Sequence, residues 1–188
     1  MFIQTESTPN PATLKFLPGR PVMGEAEVAD FPSREAAGRS PLARALFAVP
    51  DVSRVFFGSD FISVTKRDGE DWKHLKPAIL GAIMEHFTRD LPVMDSGSAD
   101  EVDDASYGEG DPEIVSQIKE LIDTRVRPAV AQDGGDIIFK GFDGGAGIVF
   151  LHMRGSCAGC PSSTMTLKNG IENMLRHYVP EVNAVEAV

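Results

Sequence analysis

Cysteine is nearly absent: Cys157 and Cys160 are the only two in 188 residues. Two cysteines cannot build a disulfide framework, and in a reducing compartment such a pair points to metal or redox chemistry. Basic clusters are missing too, with 18 Lys and Arg against 28 Asp and Glu and a formal net charge of -10. Nucleic acid and anionic membrane surfaces need grouped cations, so both are excluded as primary partners. No window approaches the apolar length of a membrane span. Residues 1–6, Met-Phe-Ile-Gln-Thr-Glu, have neither the basic and apolar regions of a secretory signal nor the Arg-rich character of an organelle presequence. The expectation is a soluble chain, cytoplasmic or already processed. No Cys–His constellation or spaced carboxylate pair suggests a hydrolytic site, and Gly134-Gly135 and Gly144-Gly145 fit neither G-x-G-x-x-G nor a phosphate loop. The chain reads as something other than a conventional enzyme.

What is present suffices for ordinary globular cores: 42% hydrophobic and 24% charged residues. The expected fold class is α+β, with two small domains joined by a flexible acidic linker. Residues 92–112 carry Asp95, Asp100, Glu101, Asp103, Asp104, Glu109 and Asp111 with no Lys or Arg, and few large apolar groups. Ordering such a stretch costs entropy that little burial would offset. As a coil it would span on the order of 25 Å. The expected division is therefore 1–91, an amino-terminal domain, 92–112, the linker, and 113–188, a carboxyl-terminal domain.

In the first domain, strand-like segments 2–7 and 13–17 flank the turn Thr8-Pro9-Asn10-Pro11. A short helix over 41–48 leads to strands at 52–57 and 61–66 around Gly58-Ser59-Asp60. Trp72, Leu75, Ile79, Ala82, Ile83 and Phe87 then repeat at helical spacing across 72–89. In the last domain Asp111-Pro112 makes a good helix start. Ile114, Ile118, Leu121, Ile122 and Val126 form an apolar stripe, and Arg127-Pro128 predicts a kink or end. Asp133-Gly134-Gly135-Asp136 turns the chain into strand 137–142, and Gly144 to Gly147 make a hairpin to 148–153. Leu167, Ile171, Met174, Leu175 and Tyr178 mark a helix ending before Pro180, and 182–188 reads as a last strand, giving the order α-β-β-α-β.

The informative segment is Gly155-Ser156-Cys157-Ala158-Gly159-Cys160-Pro161-Ser162-Ser163, between a strand and a helix. Two intervening residues let both sulfurs face one metal-sized site. Pro161 suits a first helical turn, which puts Cys160 beside free N–H groups that favour a thiolate. Gly155 and Gly159 leave the backbone open to approach sulfur, so the loop is expected to suit anions. Iron–sulfur clusters take four cysteine ligands, and this chain has two. A second copy would complete the set as a symmetric homodimer, and so exposed a site suits a carrier.

These residues, with Arg127-Pro128, Asp133-Gly134-Gly135-Asp136 and the opening segment through Thr8-Pro9-Asn10-Pro11-Ala12-Thr13-Leu14-Lys15-Phe16, resemble the Nfu proteins, which carry a carboxyl-terminal NifU-like domain. The resemblance covers nearly all the chain outside the linker. It implies an iron–sulfur assembly protein that holds a 4Fe-4S cluster across a homodimer and delivers it to recipient apo iron–sulfur proteins, after receiving it from upstream assembly proteins. The family's ligand cysteines fall on Cys157 and Cys160. Eukaryotic members carry a mitochondrial presequence before the Phe-Ile-Gln-Thr start, so the expected location is the bacterial cytoplasm, or the mitochondrial matrix for a mature form.

Two rival readings stay open. C-x-x-C at a helix start is also thiol–disulfide oxidoreductase geometry, although that motif is expected after the first strand of a βαβ unit rather than after a late hairpin. Four thiolates from two chains would equally suit a zinc-bridged interaction module, and spacing alone does not separate zinc from iron. His152, five residues before Cys157, is read as a strand histidine rather than a further ligand. Met165 and Leu167 are read as core more readily than as recipient or dimer contacts.

Overall fold

A computed structural model describes residues 1–24, 27–96, 108–158 and 161–188, with 161–163 known from their backbone alone. The chain forms two compact units, Met1–Glu101 and Val102–Val188. Both mix helix and sheet, as expected for α+β.

In the first unit, β1 (Gln4–Ser7), β2 (Thr13–Leu17), β3 (Ala29–Phe31), β4 (Val52–Phe57) and β5 (Ile62–Lys66) form one sheet in the order β1-β2-β5-β4-β3. All neighbours run antiparallel. Helices α1 (Pro41–Phe47) and α2 (Trp72–Thr88) supply Leu42, Leu46, Ile79 and Ile83 to a core shared with Phe16, Phe31, Phe57 and Ile62. Their starts are capped by Ser40 Oγ, which accepts from Ala43 N, and Asp71 Oδ1, which accepts from Lys73 N. Strand β3 has no counterpart in the sequence reading. Its Ala-Asp-Phe is too short to show a period, and its identity comes from pairing with β4. Trp72 is half-buried against this core and its indole N–H donates to the Pro11 carbonyl.

In the second unit, α3 (Pro112–Leu121) opens with Asp111 Oδ1 accepting from Glu113 N, as the Asp-Pro start predicts. The helix does not end at Arg127-Pro128. It widens into a π turn (Ile122–Val126), with Arg127 N bonding the carbonyl of Ile122, and continues as α4 (Arg127–Gln132). Pro128 has no N–H and its ring crowds the preceding turn, so a local widening is how the helix passes it. β6 (Gly135–Asp143) and β7 (Ile148–Gly155) pair as a hairpin, and after α5 (Pro161–Tyr178) the chain returns as β8 (Ala184–Ala187), parallel to β7. The order α-β-β-α-β holds. Ile118, Ile122, Val126, Ile137, Leu151, Ile171 and Leu175 share the core. Tyr178, expected on the buried stripe, is exposed beneath the Arg125 guanidinium, and Val179 is buried instead.

Both ends of the acidic stretch are held. Val93 and Met94 pack on the first core, and Ser40 Oγ donates to the Val93 carbonyl. At the other end Gly144 N donates to the Glu109 carbonyl, and Gly110 lies so close to Phe142 that a Cβ there would sit 2.6 Å from its ring. Residues 97–107, the middle of the expected flexible linker, lie outside the described residues.

His86, near the end of α2, is buried, edge-on to Phe87, with Nε2 lacking a hydrogen-bond partner among the described residues. Burial holds its pKa below the ordinary histidine value, a backbone bond at Leu91 opposes this, and the charge of Arg20 adds to the lowering. The folded chain therefore binds this proton more weakly than the unfolded one, so stability is complete above the unfolded pKa and falls as pH drops below about 6.5. Wild type should lose urea resistance between about pH 7 and 5 more steeply than His86→Phe. Parallel curves would remove His86 from the pH response.

Candidate metal centre

The cysteine loop begins where β7 runs out. Gly155 closes the strand at φ 64°, a left-handed conformation that glycine adopts without steric cost. Gly135 and Asp136 pair with Gly155 and Arg154, so the start of β6 lies directly beside the loop. Ser156 fastens the two together. Its N–H donates to the Gly134 carbonyl at 3.2 Å and its hydroxyl donates to the Asp133 carbonyl. Ala158 N then donates to the Gly155 carbonyl at 3.1 Å, and Thr164 Oγ1 in the first turns of α5 donates to the Cys157 carbonyl at 2.8 Å.

Beneath this loop lies an ion pair. Asp136, 4% exposed, accepts from Arg127 Nε at 2.9 Å and from a terminal guanidinium nitrogen at 3.1 Å. The fork matches both carboxylate oxygens, the geometry in which Arg recognition is strongest. Asp123, one turn earlier, adds a longer contact of 3.6 Å. Arg127 and Asp136 are both visible in the sequence, but nine positions of helix and turn separate them and local spacing does not pair them. A helix-end Arg before an Asp-Gly-Gly-Asp turn is the signal that could have suggested it.

Cys157 is 6% exposed and belongs to the hydrophobic core of its unit. Burial pushes its thiol up to about 11, hydrogen bonding with Ser156 opposes the rise, and the charges of Asp133 and Asp136 add to it. This differs from the anion-favouring loop that the sequence suggests. Gly155 does take the left-handed turn, but Cys157 turns toward the core, where no solvent stabilises a thiolate. Cys160, immediately before α5, lies outside the described residues, as does Gly159. Soft thiol donors suit zinc or iron–sulfur species, and metal binding itself displaces the thiol protons. Among the described residues no group of three or more His, Cys, Asp or Glu is arranged to hold a metal. His152 is engaged elsewhere, with Nδ1 2.8 Å from the Val188 carbonyl. Met165 is 66% exposed and Leu167 half-buried, so the expectation of core placement fails for Met165.

Because β8 is parallel to β7, the loop is the first turn of a β-α-β crossover. The supposed contrast with the position of redox motifs therefore disappears. Position in the fold does not separate the redox reading from the metal reading, and the burial of Cys157 is the observation that bears on an attacking thiol.

Residues 3–90 match the family model described as scaffold protein Nfu/NifU N terminal, and residues 118–186 match the NifU-like domain. The chain belongs to the Nfu family. It is 55% identical over 190 residues to the human protein named NFU1 iron-sulfur cluster scaffold homolog, mitochondrial, covering all of this chain and 72% of that one. It is 54% identical over 186 residues to NifU-like protein 4, mitochondrial, of Arabidopsis thaliana, covering 99% of this chain and 65% of the relative. The chain thus spans about two thirds of the length of these relatives. A solved NifU-like protein from Saccharomyces cerevisiae, 26% identical, covers 52% of this chain and 87% of its own at a TM-score of 0.46.

Removing Arg127 would leave the Asp136 carboxylate buried and unpaired. Arg127→Leu should cost about 3 kcal/mol, read as a lower urea midpoint, whereas Arg127→Lys keeps the charge, loses the fork and should cost less. Equal midpoints for Arg127→Leu and wild type would show that the pair does not hold the turn.

Proposed function

We propose that this Nfu-family chain is an iron–sulfur cluster carrier. Cys157 and Cys160 hold a 4Fe-4S cluster between two copies and release it to recipient apo iron–sulfur proteins. The observation that carries this reading is the built turn around Cys157, in which Ser156, Thr164 and the Asp133-to-Asp136 segment are all committed to fixing a loop with no other evident task. The names of the relatives, which describe iron-sulfur cluster scaffolds, support the same reading.

One chain brings two thiols, and a four-thiolate cluster needs a second copy. Each thiol gives up its proton as iron takes the sulfur, so loading releases protons and weakens as pH falls. A carrier has to let the cluster leave intact for another protein. The cluster is cargo, supplied by upstream assembly proteins, and the chain does no conventional catalysis on it. The word mitochondrial in the relatives' names favours the matrix as the site of action over a bacterial cytoplasm.

Anaerobic incubation with iron and sulfide should give a brown dimer holding about four irons per two chains. Cys157→Ser and Cys160→Ser should each abolish both colour and dimer. A colourless wild-type monomer would overturn the proposal. A colourless dimer retaining stoichiometric zinc would replace it with the zinc-bridged module, and insulin reduction by wild type alone would favour the oxidoreductase.

A further inference from the structure

Gly135 has an ordinary strand backbone, outside the left-handed region occupied by Gly134 and Gly155, so its φ does not require glycine. What requires glycine is the approach of Cys157. A Cβ at position 135 would lie 2.6 Å from Cys157 Sγ, 2.8 Å from the Arg154 carbonyl oxygen and 3.2 Å from Cys157 N. The sulfur therefore rests where any other side chain would begin.

This resting place is fixed from three sides. Gly135 pairs with Gly155 across the hairpin, its neighbour Asp136 is clamped by Arg127, and Ser156 ties the loop back to Asp133 and Gly134. The backbone cannot drift away from the sulfur without breaking at least one of these. Cys157, only 6% exposed, consequently turns its thiol inward. On the carrier reading, a cluster shared between two chains would be met from the outer surface of each, so loading would require the thiol to move outward from this position.

We propose that Gly135 is a positioning residue of the cluster site: its bare backbone is the seat on which the Cys157 sulfur is stowed in the unloaded chain, and the sulfur leaves that seat to meet iron. The second half rests on the cluster-carrier reading, and the first does not. Stowing shields the thiol from electrophiles and oxidants while no cluster is present, since reactivity follows exposure as well as thiolate character. It also sets a barrier to loading that the glycine keeps in place.

The test uses the full chain with Cys160→Ser, leaving Cys157 as its single thiol. Alkylation by iodoacetamide at fixed pH should be about tenfold faster when Gly135→Ala is added, because alanine displaces the sulfur toward solvent. Unchanged circular dichroism would show that the fold survives, and rates agreeing within about twofold in folded proteins would overturn the seat. Alanine also presses on the Arg154 carbonyl, so an independent measurement is made on the unaltered, cluster-free chain. A nuclear Overhauser effect between the Gly135 Hα and Cys157 Hβ protons is expected, and its absence would overturn the seat whatever the variant does. With both cysteines intact, Gly135→Ala should acquire cluster absorption faster than wild type on addition of iron and sulfide. Equal or slower loading would overturn the release step. Failure of both proteins to load would instead defeat the carrier reading, while the alkylation rates would still decide the seat.

Discussion

The ion pair between Arg127 and Asp136 organises the carboxyl-terminal unit. A buried carboxylate is tolerated only when its charge is met with good geometry, and the guanidinium fork provides it at 2.9 and 3.1 Å. The pair joins the start of α4 to the start of β6, and the cysteine loop is hydrogen-bonded to the turn between them. The preceding π turn belongs to the same device. An i to i+5 turn inserts one residue relative to an α-helix, rotating everything after it by about 100°. Arg127 is aimed from that altered register, with Val126 and Val130 still entering the core. Pro128, which would break a regular helix, is accommodated where the helix is already irregular.

On this base stands a cysteine in two incompatible surroundings. As part of a hydrophobic core, Cys157 is a small apolar side chain that packs best when neutral. As the proposed ligand it would have to be ionised and reachable. Burial and the nearby carboxylates favour the first state, the Ser156 hydrogen bond opposes them, and on the proposed reading a bound metal would favour the second. On the proposed reading such a balance would suit temporary binding: a permanent structural site would gain from preorganised thiolates, whereas a carrier would gain from a ligand with a stable buried position.

Local signals were legible wherever a residue acts on its immediate neighbours. Asp111-Pro112 at the start of α3 and the helical stripe ending at Ile83 and Phe87 follow from capping and period alone. The cysteine spacing and its position between strand and helix were equally readable. Failures came where distant partners decide. Three-residue β3 exists because β4 offers it an edge. Tyr178 leaves the apolar stripe because Arg125 covers its ring from outside, and Val179 fills the interior position. The parallel return of β8 could not be read from alternation, which is identical for parallel and antiparallel strands, and it places the cysteine loop in a β-α-β crossover like that expected of redox motifs.

The sequence by itself determined the thiol count: two cysteines separated by two residues, half of the four thiolates that the proposed site would take. It also determined the α+β class and the family, because spacing and residue type are local and survive without coordinates. Only the tertiary structure decided that Asp136 belongs to Arg127, that Ser156 holds the loop to Asp133 and Gly134, and that the Cys157 sulfur lies against Gly135. Those contacts join residues brought together by the β6–β7 hairpin and the helix before it. Their energies arise from burial and close approach, which do not exist until the chain has folded.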